Sequence, residues 1–408
     1  MRLLDVYYSG WGEDWRLAQL ADDGHQLLFE YSGEALAQGL ELSPVHLKLR
    51  SQAYGSFPPF QFNLPGLVAD ALPDGWGLLL MDRLFRQQKL PNPSPLDRLA
   101  FIGERALGAL RFVPAANSEV NAPDWSLLTL AQHSMQMLNG EARSVLRELA
   151  ITGGSPQGAR PKALIHYEPS NGAISTHSDA PGAPWLVKFP AQGEHPEVCA
   201  IEALYLSLAA ACGIETPKCQ LFELTPKISA IAVARFDRQA GLRVPIHSLA
   251  GLLHSDFRQA GSVDYLGLLR ATRLLTRDER EVQKAFARAI FNALLHNRDD
   301  HPKNIAFRLD QDRRWRLAPA FDLTFSTGPG GQHHMDFGGV GHDVGGEHLQ
   351  QLARSGGLST TFAQTVIERT AQVAGEFAVH ARAFPIRAAT VRRLATSVAA
   401  CVKLVLVT

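Results

Sequence analysis

At 408 residues, with 46% hydrophobic and 20% charged side chains, the chain has the composition of a globular protein long enough for two or three domains of about 150 residues each. Forty basic residues balance forty acidic ones, which excludes a globally basic surface for sequence-independent nucleic-acid binding. No apolar run approaches the roughly 18 residues of a membrane span, and "MRLLDVYYSGWGEDW" is too polar for a secretory signal, so a cytoplasmic location without membrane contact is expected. Cys199, Cys212, Cys219 and Cys401 form no C-x-x-C pair and suit buried thiols in a reducing compartment.

Residues 1–113 read as a β-rich subdomain with a short helix. "LLDVYYS" and "WRLAQLADDGHQLLFEYS" alternate apolar and polar residues, the second around an Asp-Gly hairpin signal. "GLVADALPDGWGLLLMDRLFRQ" takes helical spacing after Pro73, and "ALGALRFVPA" reads as a strand. The small, polar stretch 114–124 reads as a linker. It opens a second region, 114–237, in which a helix near 125–138 precedes "ITGGSPQGARPKALIHY", a Gly-rich loop leading into a strand. "APWLVKFP" is another strand, "EVCAIEALYLSLAAACGIETP" a strong helix, and "CQLFEL" and "ISAIAVARFDR" further strands. The region 238–408 is mainly helical. "EVQKAFARAIFNALLHN" carries Val282, Phe286, Ile290 and Leu294 at helical spacing and runs out at "HNRDDHPKNIAF". "NIAFRLDQDRRWRLAP" reads as a hairpin and "AFDLTFS" follows. Residues 328–346 hold eight glycines and read as flexible, with little to contribute to a core; two or three helices close the chain.

Asp299 and Asn304 have the D-x-x-x-x-N spacing of a kinase catalytic loop. Phosphoryl transfer needs a carboxylate to orient the attacking hydroxyl, oxygen ligands for Mg²⁺ and a cation to offset the charge on the moving group. Asp299, Asn304 and Lys303 are the candidates. The hairpin after Asn304 would return Phe321-Asp322 beside it, so that Asp322 shares the metal, although Leu323-Thr324 follows where a kinase has Phe-Gly. Lys188, near a strand end, fits the cation at the inner phosphates of ATP, and Glu202 on the next helix fits the carboxylate that holds it. Arg235 and Phe236 end a strand where an adenine pocket would lie between two lobes. A competing reading gathers His296, Asp299, Asp300 and His301 as a metal-dependent hydrolase or nuclease site, but leaves Lys188 and Asn304 unemployed. A small-molecule kinase and a non-catalytic binder also stay open. "GGSPQGARPK" fails the Walker A pattern, because Ala159-Arg160 follows Gly158 in place of Lys-Ser/Thr. "RRWR" at 313–316 is a basic, aromatic hairpin tip, read as solvated.

"DDHPKN" resembles the D-x-H-x-K-N loop of the HipA family of serine/threonine kinases, the toxins of bacterial toxin–antitoxin modules. "AFDLTFS" is similar to that family's metal-binding segment, and "VARFDR" to its E-R-F-D hinge with Ala234 in place of the acid. "LPDGWG" and "LGALRF" resemble motifs of its N-terminal region. The resemblance implies an α+β, two-lobed protein-kinase-like fold with an N-terminal β-rich subdomain and a mainly helical C-terminal lobe. It implies Asp299 as catalytic base with Lys303 beside it. Asn304 and Asp322 would be Mg²⁺ ligands, and Lys188, Glu202, Arg235, Phe236, His301, Ser155 and Gly158 would lie around ATP. It further implies a protein substrate with a serine hydroxyl, since known members modify aminoacyl-tRNA synthetases. The usual partner is a HipB-like DNA-binding antitoxin, through which DNA is contacted only indirectly. Ser155 matches the family's autophosphorylated serine; its other reading is a turn residue before Pro156.

Overall fold

The computed structural model describes residues 2–116, 123–140, 144–153 and 157–407. The structure mixes α and β, with a β-rich N-terminal part and a helical C-terminal part. The chain divides into two compact units. The first holds Met1–Cys199, Cys219–His247 and Leu309–Arg313, and the second holds Ala200–Lys218, Ser248–Arg308 and Arg314–Thr408.

Two larger antiparallel sheets, beside a short two-stranded ribbon at Arg238–Arg243, lie in the first unit. One has the order β3-β2-β1-β4, from strands β1 (Arg2–Tyr8), β2 (Trp15–Asp22), β3 (Leu27–Tyr31) and β4 (Leu110–Val113). The Asp-Gly hairpin joins β2 to β3 with Asp22 opposite Leu27, as its alternation leads one to expect. Val6 and Tyr8 turn inward with Leu17 and Phe29, giving one buried face. This region is more helical than the sequence suggests. Besides Gly75–Gln87 it contains the helix Pro95–Ile102, started by Ser94, whose hydroxyl accepts from Asp97 N–H at 3.2 Å while Asp97 returns the bond to Ser94 N–H at 2.8 Å. That capping box lies inside the turn-like run "PNPSPLD", where the prolines hide it.

The second sheet has the order β6-β5-β7-β9-β8, all antiparallel, from β5 (Lys162–Glu168), β6 (Ala173–Ser175), β7 (Ala183–Lys188), β8 (Cys219–Thr225) and β9 (Ile228–Ala234). The helix Leu146–Gly153 absorbs the start of the expected Gly-rich loop. Gly153 is there because backbone comes close: an added Cβ would lie 2.2 Å from Lys162 O.

In the second unit the helix Tyr265–Thr276 is capped by Asp264, which accepts from Gly267 N–H at 2.6 Å. The helix Glu279–Leu294 follows, started by Asp278, and its inward face includes Val282, Phe286 and Ile290. Four helices close the chain, at Gly346–Ser355, Thr360–Gly375, Phe377–His380 and Ala388–Val407, one more than the upper expectation. Among the described residues no helix is long and apolar enough to cross a membrane.

Candidate active site

The helix Glu279–Leu294 ends where His296 takes a left-handed φ of 56° and turns the chain. Ser326 N–H donates to His296 O at 3.1 Å, and the rings of His296 and Phe325 stack at 4.7 Å. Asn297 and Ser326 form a parallel bridge. The start of the "HNRDDHPKN" loop and the segment after Asp322 therefore lie side by side. The strands Ala306–Leu309 and Trp315–Leu317 between them are neighbours in one sheet, closed by Ala318 N–H to Ala306 O at 2.9 Å. Within the loop, Asn304 N–H donates to His301 O at 2.9 Å and Asn304 Nδ2 donates to Asp299 O at 2.8 Å. These bonds close the D-x-x-x-x-N turn on itself.

Asp299, Asn304 and Asp322 line one cleft, together with Asn292, Asn297 and Asp300. Asp322, which has no glycine after it, itself takes φ 56°, a conformation uncommon outside glycine and concentrated at functional sites. The set is rich in oxygen donors, the kind a hard divalent cation takes, so these residues fit the expected ion. The four-residue metal reading fails. His296 Nδ1 lies 2.9 Å from Ser326 O, and Asp300 is fully engaged elsewhere. Among the described residues no group of three or more His, Cys, Asp or Glu side chains converges as a metal cluster.

Asp300 is buried and accepts from Tyr265 O–H at 2.6 Å, from His334 N–H at 2.7 Å and lies 2.7 Å from His333 Nδ1. Asn292 Nδ2 donates to Tyr265 Oη at 2.9 Å, and Asn297 Nδ2 donates to Asn292 Oδ1 at 2.8 Å. Asp299 is the half-buried neighbour, its side chain 46% accessible and 3.8 Å from His301 Nε2. Loss of hydration raises the Asp299 carboxyl above the usual carboxylate range. The Asp322 and Asp300 charges add to that, against His301 and His334. Loss of hydration likewise holds His334 below its ordinary value.

The remaining candidates fall in both units. In the second, Lys303 Nζ sits 4.6 Å from the centre of the Phe257 ring, with His301 5.5 Å from the same ring. Glu202 is buried in the helix Glu197–Ala211. In the first unit, Lys188 ends β7 and is buried. Arg235 bonds Asp237 through both Nε (2.9 Å) and Nη2 (2.7 Å), so its guanidinium is committed there, while Phe236 is half-buried. Gly158 donates its N–H to Asp74. Ser155 lies outside the described residues. The hairpin tip is also engaged: Arg313 pairs with Glu13 at 3.1 Å, Arg316 with Asp278 at 2.9 Å, and Trp315 is buried. Sequence reasoning missed Lys162, which lies directly opposite Lys188 in the β5–β7 register and is also buried. A lysine at an inward strand position was the available signal. It also missed His333 and His334, which sit in the glycine-rich stretch.

An α+β scaffold whose catalytic-type loop meets a second carboxylate segment defines a kinase-like class of protein. Residues 4–113 match the HipA N-terminal domain and residues 154–377 match the HipA-like C-terminal domain. The chain belongs to the HipA family. Two curated relatives from Sinorhizobium fredii are similar to it. Putative kinase Y4dM is 26% identical over 166 residues, 37% of this chain and 40% of that protein. Putative kinase Y4mE is 28% identical over 254 residues, 56% of each. The chain thus spans about half the length of the curated relatives it matches. The fold matches HipA in the Shewanella oneidensis complex of HipA, HipB and operator DNA with a TM-score of 0.74 at 19% identity, over 99% of this chain and 97% of that one.

Proposed function

We propose that the chain is an ATP-dependent serine/threonine protein kinase of HipA type that moves the γ-phosphoryl group of ATP to a serine of a protein. The observation that carries this reading is the meeting of Asp299, Asn304 and Asp322 in one cleft. Asp299 accepts the hydroxyl proton and aligns its oxygen, with a carboxyl whose raised affinity for protons suits a general base. Asn304 and Asp322 would hold Mg²⁺, which would offset the charge on the transferred group. Lys303 and His301 flank the acceptor side of the loop. Lys188 would supply a cation to the inner phosphates, and Phe236 an apolar surface to the base.

The family supports a growth-inhibiting toxin role, an aminoacyl-tRNA synthetase as target, self-modification at Ser155 and a HipB-like antitoxin that brings DNA into reach. A phosphate on Ser155 would add up to two negative charges beside ATP and switch the enzyme off.

Incubation with labelled ATP and lysate tests the reading. The wild type should label a protein band and itself, and Asp299→Asn should lose about 100-fold or more of the rate. Equal labelling by the two proteins would refute it, as would labelling confined to small molecules. Mass spectrometry of the active protein checks Ser155; an unmodified serine throughout removes the switch.

A further inference from the structure

The N-terminal motif "LPDGWG" has no part in the phosphoryl transfer proposed. Asp74 stands at the cap position of the helix Gly75–Gln87 with extended backbone, yet its side chain makes no capping bond to that helix. A cap carboxylate ordinarily accepts from an N–H two or three residues on. Asp74 Oδ1 instead accepts the N–H of Gly158. Trp76 N–H, in the helix's first turn where N–H groups lack intrahelical partners, donates to Gly158 O at 3.0 Å. Gly158 is therefore held through both of its backbone groups. Gly75 makes the approach possible: its φ is 42°, and an added Cβ would lie 2.7 Å from both Gly158 O and Ala159 Cα.

The neighbouring contacts extend the grip. Gln157 Nε2 donates to Asp70 O at 2.9 Å, Trp76 Nε1 donates to Lys162 O at 3.2 Å, and Lys162 Nζ donates back to Gln157 O. Behind them the Asp70 carboxylate lies 2.7 Å from His247 Nδ1, and His247 Nε2 lies 2.9 Å from Ser43 Oγ. Ser43 and His247 are both 0% exposed, so this Ser-His-Asp arrangement is a buried strut and not a hydrolase site.

We infer that Asp74, Gly75 and Trp76 are positioning residues that fix the backbone of Gln157–Lys162, the C-terminal flank of the glycine-rich loop, for the phosphates of the nucleotide. The inference rests on the kinase reading for its ligand, while the clamp stands on its own contacts. Ordering this backbone in advance lowers the entropy lost when a nucleotide binds. Because the Gly158 N–H is spent on Asp74, it holds the backbone at 157–162 in shape and does not serve as a phosphate donor.

Full-length Asp74→Ala, Asp74→Asn and Trp76→Phe test it by two readouts. Hydrogen–deuterium exchange without nucleotide should be about tenfold faster over 157–162 in Asp74→Ala and unchanged in distant peptides. Asp74→Asn, whose amide oxygen still accepts, should keep most of the protection. The KM for ATP should rise about fivefold in Asp74→Ala with kcat within about twofold. Unchanged exchange at 157–162 overturns the clamp. A lower KM overturns it too, since Asp74 would then be competing with phosphate. If Asp74→Ala unfolds, Trp76→Phe decides, with faster exchange confined to this segment supporting the clamp and no change overturning it. A wild type that neither binds nor turns over ATP refutes the kinase reading and the purpose given to the clamp, while the exchange data still judge the clamp.

Discussion

In the proposed reaction Asp299 is the general base, and its surroundings disfavour its charge. Lost hydration and the nearby Asp322 and Asp300 raise its pKa above that of an ordinary aspartate. Only the charged form can take a proton, so the acid limb of kcat/KM should fall above the roughly 3.9 of a free aspartate. A ¹³C titration of the Asp299 carboxyl checks this directly, and Asp322→Asn should move the titration to lower pH by removing one repulsive charge. The same shift has a consequence for stability. A carboxyl whose folded pKa is raised above its unfolded value penalises the fold above the folded pKa, and the penalty fades as pH drops below the unfolded one. Asp299→Asn should therefore raise Tm at pH 7 and lose that advantage near pH 4, while destroying activity. An Asn variant no more stable than the wild type at pH 7 would show that the carboxylate is well solvated.

At the scale of elements, the loop is held by a segment that sequence alone undervalues. The glycine-rich stretch 328–346 buries His333, Met335 and Phe337, and Phe337 packs on Tyr265 at 4.4 Å between ring centres. His334 O accepts from Gly261 N–H at 2.8 Å, and Asp336 O accepts from Tyr265 N–H at 3.0 Å. Eight glycines suggested flexibility, whereas the polar and aromatic residues between them complete the Asp300 network. Asp300→Ala would strand the Tyr265 hydroxyl and the His334 N–H and free His333. A loss of about 2–4 kcal/mol is expected, read as a lower urea midpoint at unchanged slope. A midpoint within error of the wild type would mean that water replaces the carboxylate. The strands and the helix Glu279–Leu294 were legible because periodicity is a local property. The N-terminal helix Pro95–Ile102, the helical start of the Gly-rich loop and Lys162 beside Lys188 were not. Their signals depend on a cap hidden among prolines, on a backbone approach at Gly153, and on a strand register that no local pattern encodes.

For the molecule as a whole, the two matched family regions are not separate beads. The motifs "LGALRF" and "VARFDR" meet inside the first unit. Asp237 Oδ2 accepts Gly108 N–H at 2.8 Å, Arg235 binds the same carboxylate, and Arg238 Nη1 reaches both Asp237 Oδ2 at 2.8 Å and Gly108 O at 3.0 Å. Burial would raise the Asp237 pKa, but Arg235 and Arg238 outweigh it and hold the carboxyl far below the usual range. Arg238 is itself brought down to about 10, chiefly by burial. A carboxyl depressed on folding stabilises the protein above its unfolded pKa, and the contribution disappears as pH falls through the folded pKa. Asp237→Ala removes it and leaves two largely buried guanidinium groups without their counter-charge. The expected cost is about 3–5 kcal/mol at pH 7, the penalty for breaking a buried charge network by removing one partner. Calorimetry should show the deficit shrinking only in strong acid. It should also show whether the β1–β4 sheet melts ahead of the β5–β9 sheet once the link at Gly108 is cut. One transition at the wild-type temperature would mean that this carboxylate holds nothing together.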